Sequence, residues 1–305
     1  MRARLAFLSP VDALFCTFIL LLSVLTLGLC QSIPTWPYLL LANLFGIGAI
    51  VFLARWSRHP AIQFIHTWYA VAGIFIIFKE IYIILQSLGL QDWDELLIRS
   101  DRFLFHVDPT VWISRFAHPV LTEVLQIAYV SYYFLMISLG AELYLRKERD
   151  RLIFTIFTIS YGFLLSYIGY LIFPAVGPRF TLHDFNNLGT ELPGLLLTAP
   201  IRALIDSGES IPEHVARPIL YAQRDAFPSG HTQMTLIVMY LAHRYRIRIR
   251  WWIYCIGSLL IISTIYLRYH YVTDLIGGAL FMITTVTTAP KLAAWWQKFT
   301  GRTGG

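Results

Sequence analysis

The chain has 305 residues, 57% of them hydrophobic and only 14% charged, with a mean hydropathy of +0.61. Soluble domains carry fewer apolar residues and about a quarter charged ones, so this composition excludes an ordinary soluble domain and predicts an integral membrane protein. The net charge of +6 comes from short basic clusters between apolar runs, which is how orientation signals are placed, and nucleic acid is therefore excluded as a partner.

A spanning helix needs about 20 mainly apolar residues, and eight runs are candidates: 12–30, 36–54, 62–87, 119–143, 152–173, 229–243, 252–269 and 273–290. The first follows Met1-Arg2-Ala3-Arg4. Its run exceeds the core of a typical leader, and Leu29 stands before Cys30 where cleavage wants a small residue, so it is read as a retained helix. Cys16, Cys30 and Cys255 lie in apolar runs with no metal or redox spacing and are read as packing residues. Lys79 and Glu80 interrupt the third run, where each ionisable group costs roughly 2.5–3.5 kcal/mol and tends to be functional or paired. The sixth run is short, so its end is expected within protein rather than lipid.

Segment 88–118 mixes Trp93, Leu96, Leu97, Phe103, Leu104 and Phe105 with Asp92, Asp94, Glu95, Arg99 and Arg102 at roughly helical spacing, the pattern of an interfacial helix. Segment 174–228 opens with Pro174, Gly177 and Pro178, and its run 196–206 predicts a short helix capped by Thr198. Basic clusters alternate along the chain: Arg2 and Arg4, Arg55 and Arg58, Arg146 to Arg151, Arg244 to Arg250, then Lys291, Lys298 and Arg302. The positive-inside rule puts all of these, and both termini, in the cytoplasm, leaving 88–118, 174–228 and the turn at His270 outside.

The outward segments carry the chemistry. Ala226-Phe227-Pro228-Ser229-Gly230-His231 sits at a predicted helix start. There, unpaired backbone N–H groups favour an anion, glycine lets phosphate approach and Ser229 adds a donor. Forty residues on, His270 and Asp274 stand i, i+4, the spacing at which a carboxylate on a helix face holds one imidazole nitrogen and frees the other for attack. Arg268 beside them offers a fork of donors to phosphoryl oxygens. Taken singly, the first motif also fits an ordinary helix start, and the second fits a membrane-edge pair.

Together the two motifs resemble those of the type-2 phosphatidic acid phosphatase superfamily, which includes lipid phosphate phosphatases, undecaprenyl pyrophosphate phosphatases and sphingolipid synthases. The resemblance covers roughly residues 62–290 in topology. It implies an all-α polytopic membrane bundle: a six-helix phosphatase-type core within 62–305, preceded by a pair of transmembrane helices in 1–61. It implies that His270 attacks phosphorus, Asp274 orients it, His231 protonates the leaving oxygen, and Ser229 and Gly230 hold the phosphoryl group. No metal or cofactor is implied. The expected partners are the membrane, a lipid phosphate substrate and a lipid alcohol acceptor.

The chain departs from the family pattern at two places. Thr264 stands where the third motif has arginine, and Arg268, one helical turn on and on the same face, is a candidate to supply the missing guanidinium. In Phe173-Pro174-Ala175-Val176-Gly177-Pro178-Arg179 the arginine is present but Ile172 replaces the first-motif lysine. This form looks closer to inositol phosphorylceramide synthases and related inositolphosphotransferases. Lys79, Arg217 and Arg224 are further candidates for phosphate or headgroup binding, as are Arg202, His183 and His214, with membrane-edge or solvated-loop roles as the alternatives. The alternative within the family is a plain phosphatidate or polyprenyl pyrophosphate phosphatase, and a reading of another class is a non-catalytic lipid transporter with Lys79 and Glu80 as pathway charges.

The orientation is checked by single cysteines in a background lacking Cys16, Cys30 and Cys255. An impermeant maleimide applied to intact cells is expected to label position 185 and not 147. The reverse pattern overturns the outward placement of the motifs.

Overall fold

Proline and serine punctuation sets where the helices begin. The computed structural model describes residues 5–212 and 215–301. Arg2, Arg4, His214 and Arg302 lie outside the described residues. Among those described, the regular elements are all helices. In chain order they are α1 (Pro10–Gly28), α2 (Trp36–Trp56), α3 (Pro60–Leu88), α4 (Asp94–Phe105), α5 (Pro109–Ile113), α6 (Pro119–Val130) and α7 (Tyr132–Leu145). They continue with α8 (Arg149–Ile172), α9 (Pro178–Thr181), α10 (Leu188–Glu191), α11 (Thr198–Gly208), α12 (Gly230–Arg244), α13 (Arg250–Tyr266) and α14 (Val272–Thr300). The protein is thus a polytopic helical bundle: α1, α2, α3, α8 and α14 are each long and apolar enough to cross a membrane.

The fourth expected span is broken into α6 and α7, which bend by 48°. The break falls at Ser131, whose hydroxyl donates to Ala128 O at 2.6 Å and whose N–H is shared between Ile127 O and Ala128 O, each at 3.2 Å. A side chain competing for helix carbonyls is a known cause of such bends.

The described residues divide into two compact units. One takes in 5–89, 149–165 and 283–301. In it α1, α2 and α3 pack on one another, and Gly73 is needed because a Cβ there would stand 2.7 Å from the Phe15 ring. Its buried carboxylates are paired. Asp12 accepts from Ser9 N, His66 Nε2 and Tyr69 Oη, and Glu80 accepts from Asn43 Nδ2 at 2.8 Å.

The other unit takes in 90–148 and 166–282 and contains both histidine motifs. Here α13 packs against α6 and α12, and α11 lies on α6. Two expectations change in this unit. Helix α4 buries Asp94, Leu97, Ile98 and Asp101 while Leu96 and Phe103 are exposed, so two of its acids point inward instead of toward water. Helix α11 is not capped by Thr198. Its first turn is held by Glu123 of α6, which accepts from the N–H groups of Leu195, Leu196, Leu197 and Thr198 and from the Thr198 hydroxyl.

The inward acids explain themselves by what they hold. Asp101 accepts from Val272 N at 2.9 Å, Thr273 N at 2.8 Å and Thr273 Oγ1 at 2.7 Å, fixing the start of α14 beside the second motif. Asp101→Ala is expected to lower stability by about 1–2 kcal/mol, seen as a lower thermal midpoint in detergent. An unchanged midpoint would mean that water replaces the carboxylate there.

Candidate active site

Backbone hydrogen bonds lace the three motif segments together. Ala226 N donates to Ala175 O, Arg179 N to Arg268 O and Ser229 N to Asp274 O, each at 3.0 Å. Asp94 adds a side-chain tie: it accepts from Val176 N at 2.9 Å, Gly177 N at 2.8 Å and Tyr271 Oη at 2.8 Å. Gly177 has φ +92°, and a Cβ there would stand 2.7 Å from Tyr269 O, so only glycine fits this crossing.

His270 precedes α14, so the helical i, i+4 argument for its pairing with Asp274 does not apply. The two meet because Asp274, in the first turn of α14, reaches back to accept the Tyr271 N–H at 2.8 Å, as the acidic half of a capping box does. That places Asp274 Oδ2 3.3 Å from His270 Nδ1, while the same nitrogen lies 2.9 Å from Ala226 O. A carbonyl oxygen only accepts, so Nδ1 carries the proton and Nε2 keeps its lone pair in the neutral ring. Burial pushes the His270 imidazole down to about 3, aided by His231 and Arg179 and opposed by the bond to Ala226 O. The ring is therefore neutral at physiological pH.

Ser229 is the N-cap of α12: Thr232 N donates to its Oγ at 3.2 Å, and Oγ in turn lies 3.1 Å from Thr232 Oγ1. Its hydroxyl is thus spent on the cap. No bond from the Gly230 or His231 amide is found among the described residues, so these two N–H groups are the free donors of the turn. Gly230 is required sterically, since a Cβ would stand 2.6 Å from Tyr170 Oη.

An aromatic stack sets the position of His231. Its ring lies between Tyr129, with centroids 4.5 Å apart, and Tyr132, 4.4 Å apart, the residues on either side of the α6–α7 break. Tyr129 stacks in turn on Tyr269 at 4.3 Å, and the Arg179 guanidinium sits 4.7 Å from the Tyr269 centroid. The His231 and His270 centroids are 5.9 Å apart. Arg179 is buried and pairs with Glu209 through Nη2, with Asp206 Oδ1 3.5 Å from Nη1. Burial opposes its charge, but the carboxylates of Glu209 and Asp206 hold it above the ordinary range. Burial raises Asp206 to about 6 against the pull of Arg179.

Arg268 is placed differently. Helix α13 ends at Tyr266, and Arg268 has φ 68°. Its N–H donates to Ile265 O while Tyr269 N donates to Thr264 O, the paired bonds of a Schellman helix end whose left-handed position is usually glycine. Positions 264 and 268 therefore share no helix face. The guanidinium donates to Glu191 and, at 3.2 Å, to Ser114 Oγ, and Nε is a buried donor with no partner among the described residues.

Of the remaining candidates, Arg224 pairs with Asp92 at 2.8 Å, Arg202 donates to the carbonyls of Leu188 and Leu192, and Arg217 is exposed. Lys79 belongs to the other unit, its ammonium 5.7 Å from the Tyr82 ring centroid. Sequence reasoning did not find Tyr129, Tyr132, Tyr269, Asp206 or Glu209. The tyrosines left a faint signal, as hydroxyl-bearing rings three apart inside an apolar run; the two acids in a polar loop left none. Among the described residues no group of three or more His, Cys, Asp or Glu side chains is arranged to hold a metal ion.

A profile described as the PAP2 superfamily matches residues 95–288, more than half of the chain, and the protein belongs to that superfamily. Membership supports phosphatase-type chemistry on a lipid phosphoester, performed by an integral membrane enzyme. No curated protein and no solved structure matches the chain.

His183 supplies a pH test of the loop beside Arg268. Its Nε2 lies 3.0 Å from Thr110 Oγ1, and burial first, then the charge of Arg268, lower it from 6.5 to about 4. Below 6.5 the unfolded imidazole takes a proton that the folded one refuses until about 4, so stability is lost as pH falls through that window. From pH 7.5 to 5 the thermal midpoint of the wild type is expected to fall relative to that of His183→Asn. A relative rise would make His183 a protonated partner of Glu191, 3.9 Å away.

Proposed function

We propose that this protein cleaves a lipid phosphoester at the outer membrane face by two displacements at phosphorus, and passes the phosphoryl or headgroup-phosphoryl group to a lipid alcohol or to water. The observation that carries this reading is the tautomer of His270: Nδ1–H is committed to Ala226 O and Asp274, and Nε2 is left with its lone pair. In the first step Nε2 attacks phosphorus, an N–P bond forms, and the P–O bond to the leaving alcohol breaks as His231 gives that oxygen its proton. In the second step the acceptor oxygen attacks phosphorus, its proton returns to His231, and the N–P bond breaks.

Arg179 and the amides of Gly230 and His231 hold the phosphoryl oxygens and oppose the charge that builds there. Arg268, committed to Glu191 and Ser114, orders the loop around α10. Transfer to an alcohol, as in inositol phosphorylceramide synthase-like enzymes, is supported by the form of the Phe173–Arg179 segment, which resembles that branch.

Purified protein is assayed with labelled phosphatidic acid, polyprenyl pyrophosphate and phosphatidylinositol, with and without ceramide or diacylglycerol. His270→Ala is expected to abolish turnover. His231→Ala is expected to slow a poor leaving group by about 100- to 10,000-fold. Arg179→Ala is expected to cost on the order of 2.7–4 kcal/mol of transition-state stabilisation, and Arg268→Ala much less. Vanadate should inhibit and EDTA should not. Full activity in His270→Ala would end the covalent scheme.

A further inference from the structure

Residues at the starts of α1, α3 and α8 line a cavity of about 390 Å³ that takes no part in the chemistry above. All of it lies in the unit without the histidine motifs. Behind its wall Asp12, fully buried, accepts from Ser9 N at 2.7 Å, Tyr69 Oη at 2.8 Å and His66 Nε2 at 2.9 Å. An ionised carboxylate only accepts, so Nε2 carries a proton and the neutral ring keeps its lone pair on Nδ1. That nitrogen has no bond to another described residue, and His66 lines the cavity. Gln63 and Arg149 line it too, and their side chains are likewise unbonded among the described residues.

The charge around the cavity favours an anion. Arg149 stands in its wall, the Arg55 guanidinium sits 5.2 Å from the ring centroid of the lining residue Phe7, and Arg58 follows the lining residue Ser57. Asp12 and Asp150 oppose these three positive charges with two negative ones. One positive charge is left over. Basic pockets between membrane helices on the cytoplasmic side suit phospholipid headgroups, and the arginine clusters place this end of the helices there. Trp56, Phe64 and Ile65, each next in sequence to a lining residue, are exposed and apolar, which gives acyl chains a surface beside the cavity.

We propose that this cavity is a second lipid site, which binds the phosphate of an anionic phospholipid with a hydroxylated headgroup in the cytoplasmic leaflet. Arg149 and the Gln63 amide donate to phosphate oxygens, and His66 Nδ1 accepts from a headgroup hydroxyl. The lipid is held there and not turned over. The arginines that orient the chain thus also fix a lipid to it.

The test reads the cavity directly. Ser57→Cys is placed in a full chain lacking Cys16, Cys30 and Cys255, in phosphatidylcholine nanodiscs, and its reaction rate with neutral methyl methanethiosulfonate is measured. Replacing about a fifth of the lipid by phosphatidylglycerol of the same acyl chains is expected to slow the reaction about fivefold, the protection given by a ligand at about four times its dissociation constant. Arg149→Gln and, separately, Arg55→Gln should each weaken binding about fivefold and bring the rate to within about twofold of that in phosphatidylcholine. Both positions are exposed, so the rate in phosphatidylcholine alone should not change. The surface charge of the lipid acts on parent and variants alike, and only the site separates them. Glycerol phosphate added to phosphatidylcholine nanodiscs distinguishes the sources: protection by phosphatidylglycerol alone makes the occupant a lipid, and protection by glycerol phosphate makes it a free phosphate ester in the same seat. Equal rates under all these conditions, or protection that survives both arginine substitutions, overturns the proposal.

Discussion

Carboxylates on one element holding the backbone N–H groups of another are the constraint on which the unit that carries both histidine motifs depends. Asp94 takes two amides of the Val176-Gly177-Pro178-Arg179 turn, Asp101 two at the start of α14, Glu123 four at the start of α11 and Glu142 two before α13. The physical need is plain. Non-helical backbone beside apolar spans has little water to bond with, and each unmet N–H costs free energy. A carboxylate that accepts several N–H groups at a helix start is also favoured there by the helix dipole, which offsets the cost of burying it. These ties join the backbone bonds between the motif segments in fixing the loops that carry the histidines.

The same economy explains how the two imidazoles are oriented. His270 is fixed by a backbone carbonyl and a carboxylate, His231 by two aromatic rings, and the stack that holds His231 runs through Tyr129 and Tyr269 to Arg179. The two imidazoles and the guanidinium are thus set by packing and hydrogen bonds before any substrate enters. Preorganised groups of this kind act without a cost of reorganisation during reaction. The bend at Ser131 is part of the device, because it lies between the two tyrosines that flank His231.

Much of this was legible in the sequence. Five of the eight expected spans stand as long apolar helices and a sixth as the bent pair α6 and α7, because apolar runs of that length have few alternatives, and His231, His270 and Asp274 stood out as titratable groups at the edges of such runs. The bend in the fourth span was not: a lone serine is common in membrane helices and does not announce a break. The inward turn of Asp94 and Asp101 was not, because an interfacial pattern does not say which acids face the protein, and only the loops they serve decide it. Glu209 reaches Arg179 across 30 residues of irregular chain, where no periodicity connects them.

The arginine at 268 shows how a local rule can be broken and compensated. The left-handed position at the end of α13 belongs by sterics to glycine, and a larger residue there is strained by roughly 1 kcal/mol or more. The chain accepts that strain because the turn must deliver Tyr269 and His270 with their N–H groups on Thr264 O. A positive side chain after a helix C-terminus recovers part of the cost through the dipole. The contacts with Glu191 and Ser114 then hold the guanidinium. Thr264, fully buried and donating to Ile261 O, has no room for the arginine that the family motif would put there. The guanidinium next to the histidines must therefore come from another segment. Arg179 fits that requirement: its own N–H is bonded to Arg268 O, so the turn that displaces one arginine also anchors the other.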